Sequence, residues 1–253
     1  MARRAVVTGS ASGIGRATAA LLAAQGCEVL GVDLAGADVC ADLGTPAGRA
    51  RAAAAVGEVD VAVACAGITG ANPAIPSVNF FGVVEFLERL RPALARGTDP
   101  RAAVIGSVSS VHPLDEQIVA ACLERDEAAA RARAEQVLAA GHAPLLYSSS
   151  KAALARWVRR AAPTPEWAGA GIALNAVAPG VVLTPMSDPL VADPQMQQIM
   201  ARAVPMPLNG YAPPEAVAAP LAFLVSPANT HVTGQVLFVD GGAEAILRGN
   251  AVW

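Results

Sequence analysis

Lysine is almost absent from this chain of 253 residues, in which seventeen arginines supply every other fixed positive side-chain charge. The one lysine, Lys151, stands four residues after Tyr147, and the chain contains only two tyrosines. A spacing of four places two side chains on one face of a helix. An ammonium group beside a phenol lowers the pKa of the phenol from about 10. The pair therefore indicates a tyrosine suited to general-base catalysis, although such a spacing also arises by chance.

Other scarcities exclude whole classes of protein. Charged residues make up 15% of the chain and the net charge is -3, which gives no electrostatic footprint for nucleic acid. No apolar run is long enough for a membrane span or a signal peptide, so we expect a cytoplasmic protein without a membrane partner. Neither C-x-x-C nor metal-ligand spacing occurs, so we expect reduced thiols and no metal. The cysteines and histidines are Cys27, Cys40, Cys65, Cys122, His112, His142 and His231.

Glycine, in contrast, is concentrated near the beginning of the chain. Residues 5–7 read as a short buried strand, residues 8–15 follow as T-G-S-A-S-G-I-G, and a helical stretch runs from about 16 to 25. A strand, a glycine-rich turn and a helix form the context of a dinucleotide-binding loop. Glycines let the backbone approach a pyrophosphate, and the helix N-terminus offers free N–H groups. The alternative is a turn that binds nothing.

The next predicted strand, C-E-V-L-G-V-D, ends on the carboxylate of Asp33. An acidic residue about twenty residues after the glycine loop accepts hydrogen bonds from the adenosine ribose hydroxyls. Asp33 would also repel a 2′-phosphate, and the glycine loop contains no compensating cation at residues 10–12. We therefore expect NAD rather than NADP as cofactor. A solvated aspartate at the end of a strand is the alternative, and it would leave the cofactor open.

Strands and helices alternate along the rest of the chain. Alternating β and α units predict a single α/β domain over residues 1–253, with a doubly wound parallel sheet and helices on both faces. Ligands of such folds bind beyond the carboxyl ends of the strands, so the motifs that follow strands should converge on one crevice. The predicted strands are 4–8, 28–33, 38–41, 59–65, 101–107, 171–177 and 235–240.

Taken together, these motifs resemble the short-chain dehydrogenase/reductase family over essentially the whole chain, which implies a Rossmann fold. Tyr147-Ser-Ser-Ser-Lys151 matches the active-site motif of the family, and Asn175-Ala-Val-Ala-Pro179-Gly180 matches its nicotinamide-side segment. The sequence departs from the family at Cys65, since C-A-G stands where the family usually has N-N-A-G. By resemblance, the cofactor-binding residues are Gly9, Ser12, Gly13, Ile14, Gly15, Asp33, Asp42, Leu43, Cys65, Ala66, Gly67, Tyr147, Lys151, Pro179, Gly180, Val182 and Thr184.

The same resemblance implies the catalytic roles. Tyr147 would exchange the proton of the substrate hydroxyl, while a hydride moves between the substrate carbon and the nicotinamide. Lys151 would keep the pKa of the phenol low and bind the nicotinamide ribose. Ser107 would orient the substrate oxygen, and Asn79 would support a water-mediated proton path. Both Ser107 and Asn79 could instead be ordinary buried polar groups.

Thirty-nine residues separate Ser107 from Tyr147, where most family members have about a dozen. This helical insertion, about residues 111–146, reads as one or two amphipathic helices over roughly 114–140. It resembles the bacterial branch of the family that acts on 3α-hydroxysteroids and carbonyl compounds. In that branch the extra helices cover a face that other members use for tetramer packing. We therefore expect a homo-oligomer, with a dimer favoured over a tetramer.

A second long segment, about residues 184–214, holds every methionine except the first residue of the chain. Methionine is flexible and suits irregular apolar partners, so this segment reads as a mobile lid over an apolar ligand. The alternative is that the methionines pack on the body of the domain. Arg202 is the only cation of the segment, which argues against an acidic substrate.

The sequence thus predicts an NAD(H)-dependent oxidoreductase that interconverts a hydrophobic secondary alcohol and its ketone, with a 3α-hydroxysteroid or a similar alicyclic compound as the favoured substrate. Bacterial coniferyl-alcohol dehydrogenases share the long insertion, so an aryl or terpenoid alcohol dehydrogenase is the alternative within the enzyme class. A non-catalytic nucleotide-sensing protein is the alternative outside it.

Overall fold

A computed structural model of the chain describes residues 2–251. Its seven strands form one sheet in which every neighbouring pair is parallel. The strands are β1 (Arg4–Thr8), β2 (Glu28–Asp33), β3 (Val39–Cys40), β4 (Val61–Ala64), β5 (Arg101–Ile105), β6 (Ala173–Pro179) and β7 (Val236–Val239). Their order in the sheet is β3-β2-β1-β4-β5-β6-β7. All seven predicted strands are present, with ends that move by at most two residues.

Ten α-helices surround the sheet in the part of the chain that the structure describes. They are α1 (Gly13–Ala24), α2 (Pro46–Val56), α3 (Val83–Leu94), α4 (Glu116–Leu123), α5 (Glu127–Ala139), α6 (Pro144–Ala161), α7 (Asp188–Ala192), α8 (Pro194–Ala203), α9 (Pro214–Leu224) and α10 (Ala243–Arg248). A π-helix (Ser77–Gly82) leads into α3, and 3₁₀ turns span Val108–Val111 and Ala168–Ala170. No helix within residues 2–251 is long and apolar enough to cross a membrane.

Alternate residues of the buried strands face two different layers of helices. In β1, Val6 packs into the apolar cluster that contains α3 and α6, whereas Val7 packs into the cluster that contains α1 and α9. All four residues of β4 are buried, which explains why its sequence is a continuous apolar run rather than an alternating one. The predicted doubly wound sheet with helices on both faces is therefore confirmed.

Helices α4 and α5 fill the predicted insertion between β5 and α6. A buried arginine attaches α5 to the body of the domain: the Arg49 guanidinium of α2 lies 2.6 Å from the Glu127 carboxylate of α5 and 3.0 Å from the Glu85 carboxylate of α3. Arg49 has no exposed surface. Because removing one partner of a buried ion pair is costly, this three-residue cluster holds the two-helix segment in place.

Candidate active site

The carboxyl ends of the strands meet at one edge of the sheet, and the predicted site residues follow them. The glycine loop follows β1, and Gly9 has a φ of +68°, a backbone conformation that residues with a side chain rarely adopt. A Cβ atom on Gly9 would lie 2.9 Å from the backbone nitrogen of Ala66, and one on Gly15 would lie 2.1 Å from the carbonyl oxygen of Gly9. Glycine is therefore required at both positions for the loop to pack against the end of β4.

The N-terminus of α1 has the properties of an anion-binding site. Ser12 precedes the helix with an extended backbone, and its side chain makes no capping hydrogen bond. The first turn, which includes Ile14, contains no acidic residue, so its amide groups and the positive end of the helix dipole are available to an anion. A Cβ atom on Gly13 would lie 3.0 Å from Cγ2 of Thr184, so the chain after β6 closes against this loop. These residues fit the pyrophosphate of a dinucleotide.

The adenosine end of such a ligand would meet carboxylates. Asp33 accepts hydrogen bonds from the backbone nitrogens of Ala11 (3.0 Å) and Leu34 (2.7 Å), which fixes its carboxylate beside the glycine loop. Asp38 is a further carboxylate at this place that the sequence motifs do not indicate; it accepts a hydrogen bond from the Gly31 nitrogen of β2 at 2.8 Å. Only the turn at the end of β2 brings these two carboxylates to one side of the loop.

Asp42 and Leu43 differ in what they offer a ligand. The Asp42 carboxylate accepts a hydrogen bond from the Gly44 nitrogen at 2.8 Å and lines a surface pocket of about 430 Å³ together with Leu34 and Arg51. Leu43, in contrast, buries its side chain in the core. Of the two predicted contacts, only Asp42 presents its side chain to this pocket.

The segment that follows β4, Cys65 to Gly67, is bonded to the end of β1. The Thr8 hydroxyl accepts a hydrogen bond from the Ala66 nitrogen at 3.1 Å, which joins the ends of β1 and β4. Burial raises the pKa of the Cys65 thiol to about 12, and the nearby Lys151 ammonium lowers it only in part. The thiol is therefore neutral at physiological pH.

The side chain of Asn79 is fully buried in the π-helix and its hydrogen-bonding groups are occupied. Its Oδ1 accepts from the Ile68 nitrogen at 2.8 Å, and its Nδ2 donates to the Ile68 carbonyl (2.9 Å) and to the Ser150 hydroxyl (3.2 Å). π-Helical turns are frequent at functional sites. The contacts identify Asn79 as a link between the segment after β4 and helix α6.

Tyr147, Lys151 and Ser107 meet where β5 ends beside α6. Lys151 Nζ lies 5.7 Å from the centre of the Tyr147 ring, as the spacing of four predicts, but it donates its hydrogen bond to the Ile105 carbonyl at 2.8 Å. Ser107 begins a 3₁₀ turn, and its hydroxyl accepts from the Ser109 nitrogen at 3.1 Å. The Ser107 hydroxyl lies close enough to the Tyr147 phenol to lower its pKa.

Burial acts on both groups of this pair. It raises the pKa of Tyr147, which the Ser107 hydroxyl lowers only in part. The Lys151 ammonium donates its hydrogen bond to the Ile105 carbonyl rather than to the phenol, and its lowering of the Tyr147 pKa stays a prediction. Burial in turn lowers the pKa of Lys151 to about 8. A sequence spacing shows that two side chains share a helix face, but it does not show how deeply they are buried.

Pro179, Gly180, Val182 and Thr184 continue from β6 under the segment that follows α8. The Met206 sulfur accepts a hydrogen bond from the Val181 nitrogen at 3.2 Å, and a Cβ atom on Gly180 would lie only 2.7 Å from that sulfur. Thr184 is fixed by a hydrogen bond from its nitrogen to the Ser187 hydroxyl at 3.0 Å. Met206 therefore belongs to the body of the domain and supports this segment.

The remaining part of the predicted lid is divided between buried and exposed residues. Met200 packs with Met206 in an apolar cluster that also includes Val108 of the turn after Ser107. Met186 and Ile199, in contrast, are 43% and 56% exposed. Met200 and Met206 therefore pack on the body of the domain, whereas the side chain of Met186 is largely exposed.

A glycine loop at a helix N-terminus, a carboxylate at the end of β2 and a Ser-Tyr-Lys group at the end of β5 define a nucleotide-dependent oxidoreductase. A sequence profile described as "Enoyl-(Acyl carrier protein) reductase" matches residues 129–244. The 3-alpha-hydroxysteroid dehydrogenase/carbonyl reductase of Comamonas testosteroni is 40% identical, over 96% of this chain and 97% of that one. The cis-4-hydroxycyclohexanecarboxylate dehydrogenase of Sinomonas cyclohexanicum is 36% identical over the same shares.

Solved structures agree with these relatives. The crystal structure of the 3-alpha-hydroxysteroid dehydrogenase from Pseudomonas sp. B-0831, complexed with NADH, superimposes with a TM-score of 0.90 at 42% identity. The similarity covers 98% of this chain and 99% of that one. The chain belongs to the short-chain dehydrogenase/reductase family and is an oxidoreductase.

Proposed function

We propose that this protein is an NAD-dependent dehydrogenase that oxidises a hydrophobic alicyclic secondary alcohol, with a 3α-hydroxysteroid as the preferred substrate class, and reduces the corresponding ketone. The observation that carries the proposal is the 40% identity to the Comamonas testosteroni enzyme over almost the whole length of both chains. The arrangement of Ser107, Tyr147 and Lys151 at the strand ends supports the same chemistry.

In this mechanism Tyr147, as the phenolate, takes the proton of the substrate hydroxyl during oxidation, and as the neutral phenol it returns that proton during reduction. Ser107 binds the substrate oxygen through its hydroxyl, and Lys151 directs its remaining N–H donors to the nicotinamide ribose. The bound NAD+ supplies the hydride acceptor. Because burial raises the pKa of Tyr147, we expect the rate of oxidation to keep rising with pH into the alkaline range.

The preference for NAD over NADP rests on two carboxylates. Asp33 is fixed beside the glycine loop by the Ala11 and Leu34 nitrogens, and Asp38, which lies between β2 and β3, accepts from the Gly31 nitrogen of β2. Each would repel a 2′-phosphate on the adenosine ribose. Binding of NADP would require a cation for the 2′-phosphate, and Arg51 is the cation in the pocket that Asp42 lines.

The substrate class is supported by the exposed apolar residues after β6. Leu183, Met186 and Ile199 are 48%, 43% and 56% exposed, which suits contact with a bulky apolar molecule. Arg202 is the only cation of this segment, so a small cyclic substrate that carries a carboxylate is the less favoured candidate.

We also infer that the protein is a dimer. Helix α4 covers α6 through the Arg156–Glu116 ion pair (2.8 Å) and through the hydrogen bond from the Asp115 nitrogen to the Ser149 hydroxyl (2.8 Å). The surface of α6 beneath α4 is therefore closed to a further subunit. Light scattering should give twice the chain mass of 25.5 kDa, and a fourfold mass would contradict the inference.

The experiment that tests the function is the initial rate of NADH formation by the purified protein with a 3α-hydroxysteroid. Parallel reactions contain cis-4-hydroxycyclohexanecarboxylate, coniferyl alcohol, or NADP+ in place of NAD+. We expect the steroid with NAD+ to give the highest kcat/KM. Turnover of coniferyl alcohol alone would show an aryl alcohol dehydrogenase, and turnover of no alcohol would favour a nucleotide-sensing protein.

A further inference from the structure

The three serines between Tyr147 and Lys151 have different partners. The Ser148 hydroxyl donates to the Pro113 carbonyl at 2.7 Å, and the Ser149 hydroxyl accepts from the Asp115 nitrogen at 2.8 Å. The Ser150 hydroxyl instead donates to the Tyr147 carbonyl and accepts from Asn79. The first two serines thus bind the chain that follows Ser107, and both are buried.

Asp115 is the point at which the two-helix segment α4–α5 joins this loop. Its carboxylate caps α4 by accepting from the Gln117 (3.1 Å) and Ile118 (3.0 Å) nitrogens. The same carboxylate accepts from the Arg133 guanidinium of α5, with Nη2 and Nε at 2.8 and 3.1 Å from Oδ2. One residue therefore connects α4, α5 and, through its own nitrogen, Ser149 of α6.

The loop between Ser107 and Asp115 is short and internally bonded. Ser107 caps the 3₁₀ turn Val108–Val111, since its hydroxyl accepts from the Ser109 nitrogen and its carbonyl accepts from the Ser110 nitrogen at 3.0 Å. The far end of the loop is fixed to α6 one and two residues after Tyr147. The loop and residues 147–149 of α6 therefore form a ring, which the bonds of Ser148 and Ser149 close at one end and the proximity of the Ser107 and Tyr147 hydroxyls closes at the other.

We propose that Ser149 and Asp115 are positioning residues that set the distance between the Ser107 and Tyr147 hydroxyls, so that the two-helix segment α4–α5 acts on the reaction through this ring. The inference rests on the proposed function, in which these two hydroxyls act on the substrate. Without the Ser149 hydroxyl, the buried Asp115 nitrogen has no acceptor, and the loop must shift to find one. That shift moves Ser107 away from Tyr147.

The test is the pH dependence of alcohol oxidation by the Ser149→Ala variant. We expect kcat to fall about tenfold, because small displacements of catalytic groups are costly. We also expect the acid limb of the kcat/KM profile to move about half a unit to higher pH, because the Ser107 hydroxyl, which lowers the pKa of Tyr147, moves away from it. The Kd for NADH should change less than about twofold, because the glycine loop is untouched.

Glu116→Gln is the matched control. It removes the exposed Arg156–Glu116 pair, which also links α4 to α6 but lies outside the ring, and it should leave the rate and the profile unchanged. Ser148→Ala provides a second route if Ser149→Ala does not fold: it removes the bond to Pro113 and should move the acid limb in the same direction.

The outcomes separate this inference from the proposed function. A wild-type profile for both serine variants, or a fall in kcat without any movement of the acid limb, would overturn the positioning role. Tyr147→Phe is measured beside them with the same alcohol. If that variant keeps its turnover, the proposed function itself fails, whatever the serine variants do.

Discussion

Replacing Lys151 by methionine should make the protein more stable while it abolishes turnover. Lys151 is 3% exposed, and burial lowers its pKa from 10.5 to about 8. This difference corresponds to roughly 3 kcal/mol of unfavourable interaction in the charged form. The variant also loses the hydrogen bond to the Ile105 carbonyl, which contributes about 1 kcal/mol. We therefore expect a net gain of about 2 kcal/mol in the free energy of unfolding near pH 7.

The sign of the pH dependence follows from the direction of the shift. Below about pH 8 the lysine is protonated in both the folded and the unfolded chain, so the cost of burying its charge is present in full. Between about 8 and 10.5 the unfolded chain binds more protons than the folded one, so the wild-type protein gains stability as the pH rises. The advantage of Lys151→Met should therefore shrink over that interval.

Urea unfolding of both proteins near pH 7 and near pH 10 measures this difference. Arg159→Met is the matched control, since Arg159 lies exposed on the same helix and its replacement should change nothing measurable. A Lys151→Met variant that is less stable than wild type near pH 7, or an advantage that does not change with pH, would refute the reasoning.

Three further predictions concern the cofactor loop and the core. Asp33→Asn should raise the ratio of kcat/KM with NADP+ to that with NAD+ by about tenfold, because it removes one of two repelling carboxylates; an unchanged ratio in steady-state assays would contradict the role of Asp33. Gly15→Ala should weaken NADH binding and lower the stability by about 2 kcal/mol, because its Cβ would lie 2.1 Å from the Gly9 carbonyl oxygen. Gly169→Ala, with its nearest atom at 3.5 Å, is the control in the same fluorescence titration and urea experiment, and equal effects would argue against the clash. Glu127→Gln should lower the free energy of unfolding, measured in urea, by about 2 kcal/mol, because it weakens the pairing of the buried Arg49. An unchanged free energy would mean that Glu85 alone is enough to pair Arg49.

The sequence was sufficient for the sheet and for the location of the site. Short apolar runs separated by helical stretches identified every strand, and the parallel arrangement then placed Gly9, Asp33, Cys65 and Ser107 at one edge. The strands follow from local residue patterns, and their arrangement follows from the fixed handedness of β-α units. Both can be read from the order of residues along the chain.

What the sequence did not reveal depends on burial and on contacts between distant residues. Burial raises the pKa of the partly buried Tyr147, and Lys151 donates to the Ile105 carbonyl; neither fact follows from a spacing of four. Met206 supports Gly180 through contacts that a composition count cannot distinguish from an exposed lid. The partner of Ser149 lies thirty-four positions away along the chain, so its role was invisible in the Y-S-S-S-K motif.

The most direct test of the central claim is the Tyr147→Phe variant, assayed for NADH binding and for oxidation of a 3α-hydroxysteroid with NAD+. If Tyr147 exchanges the substrate proton, the variant should bind NADH with nearly wild-type affinity and lose at least about a thousandfold in kcat. A variant that oxidises the alcohol at a rate close to wild type would contradict the account.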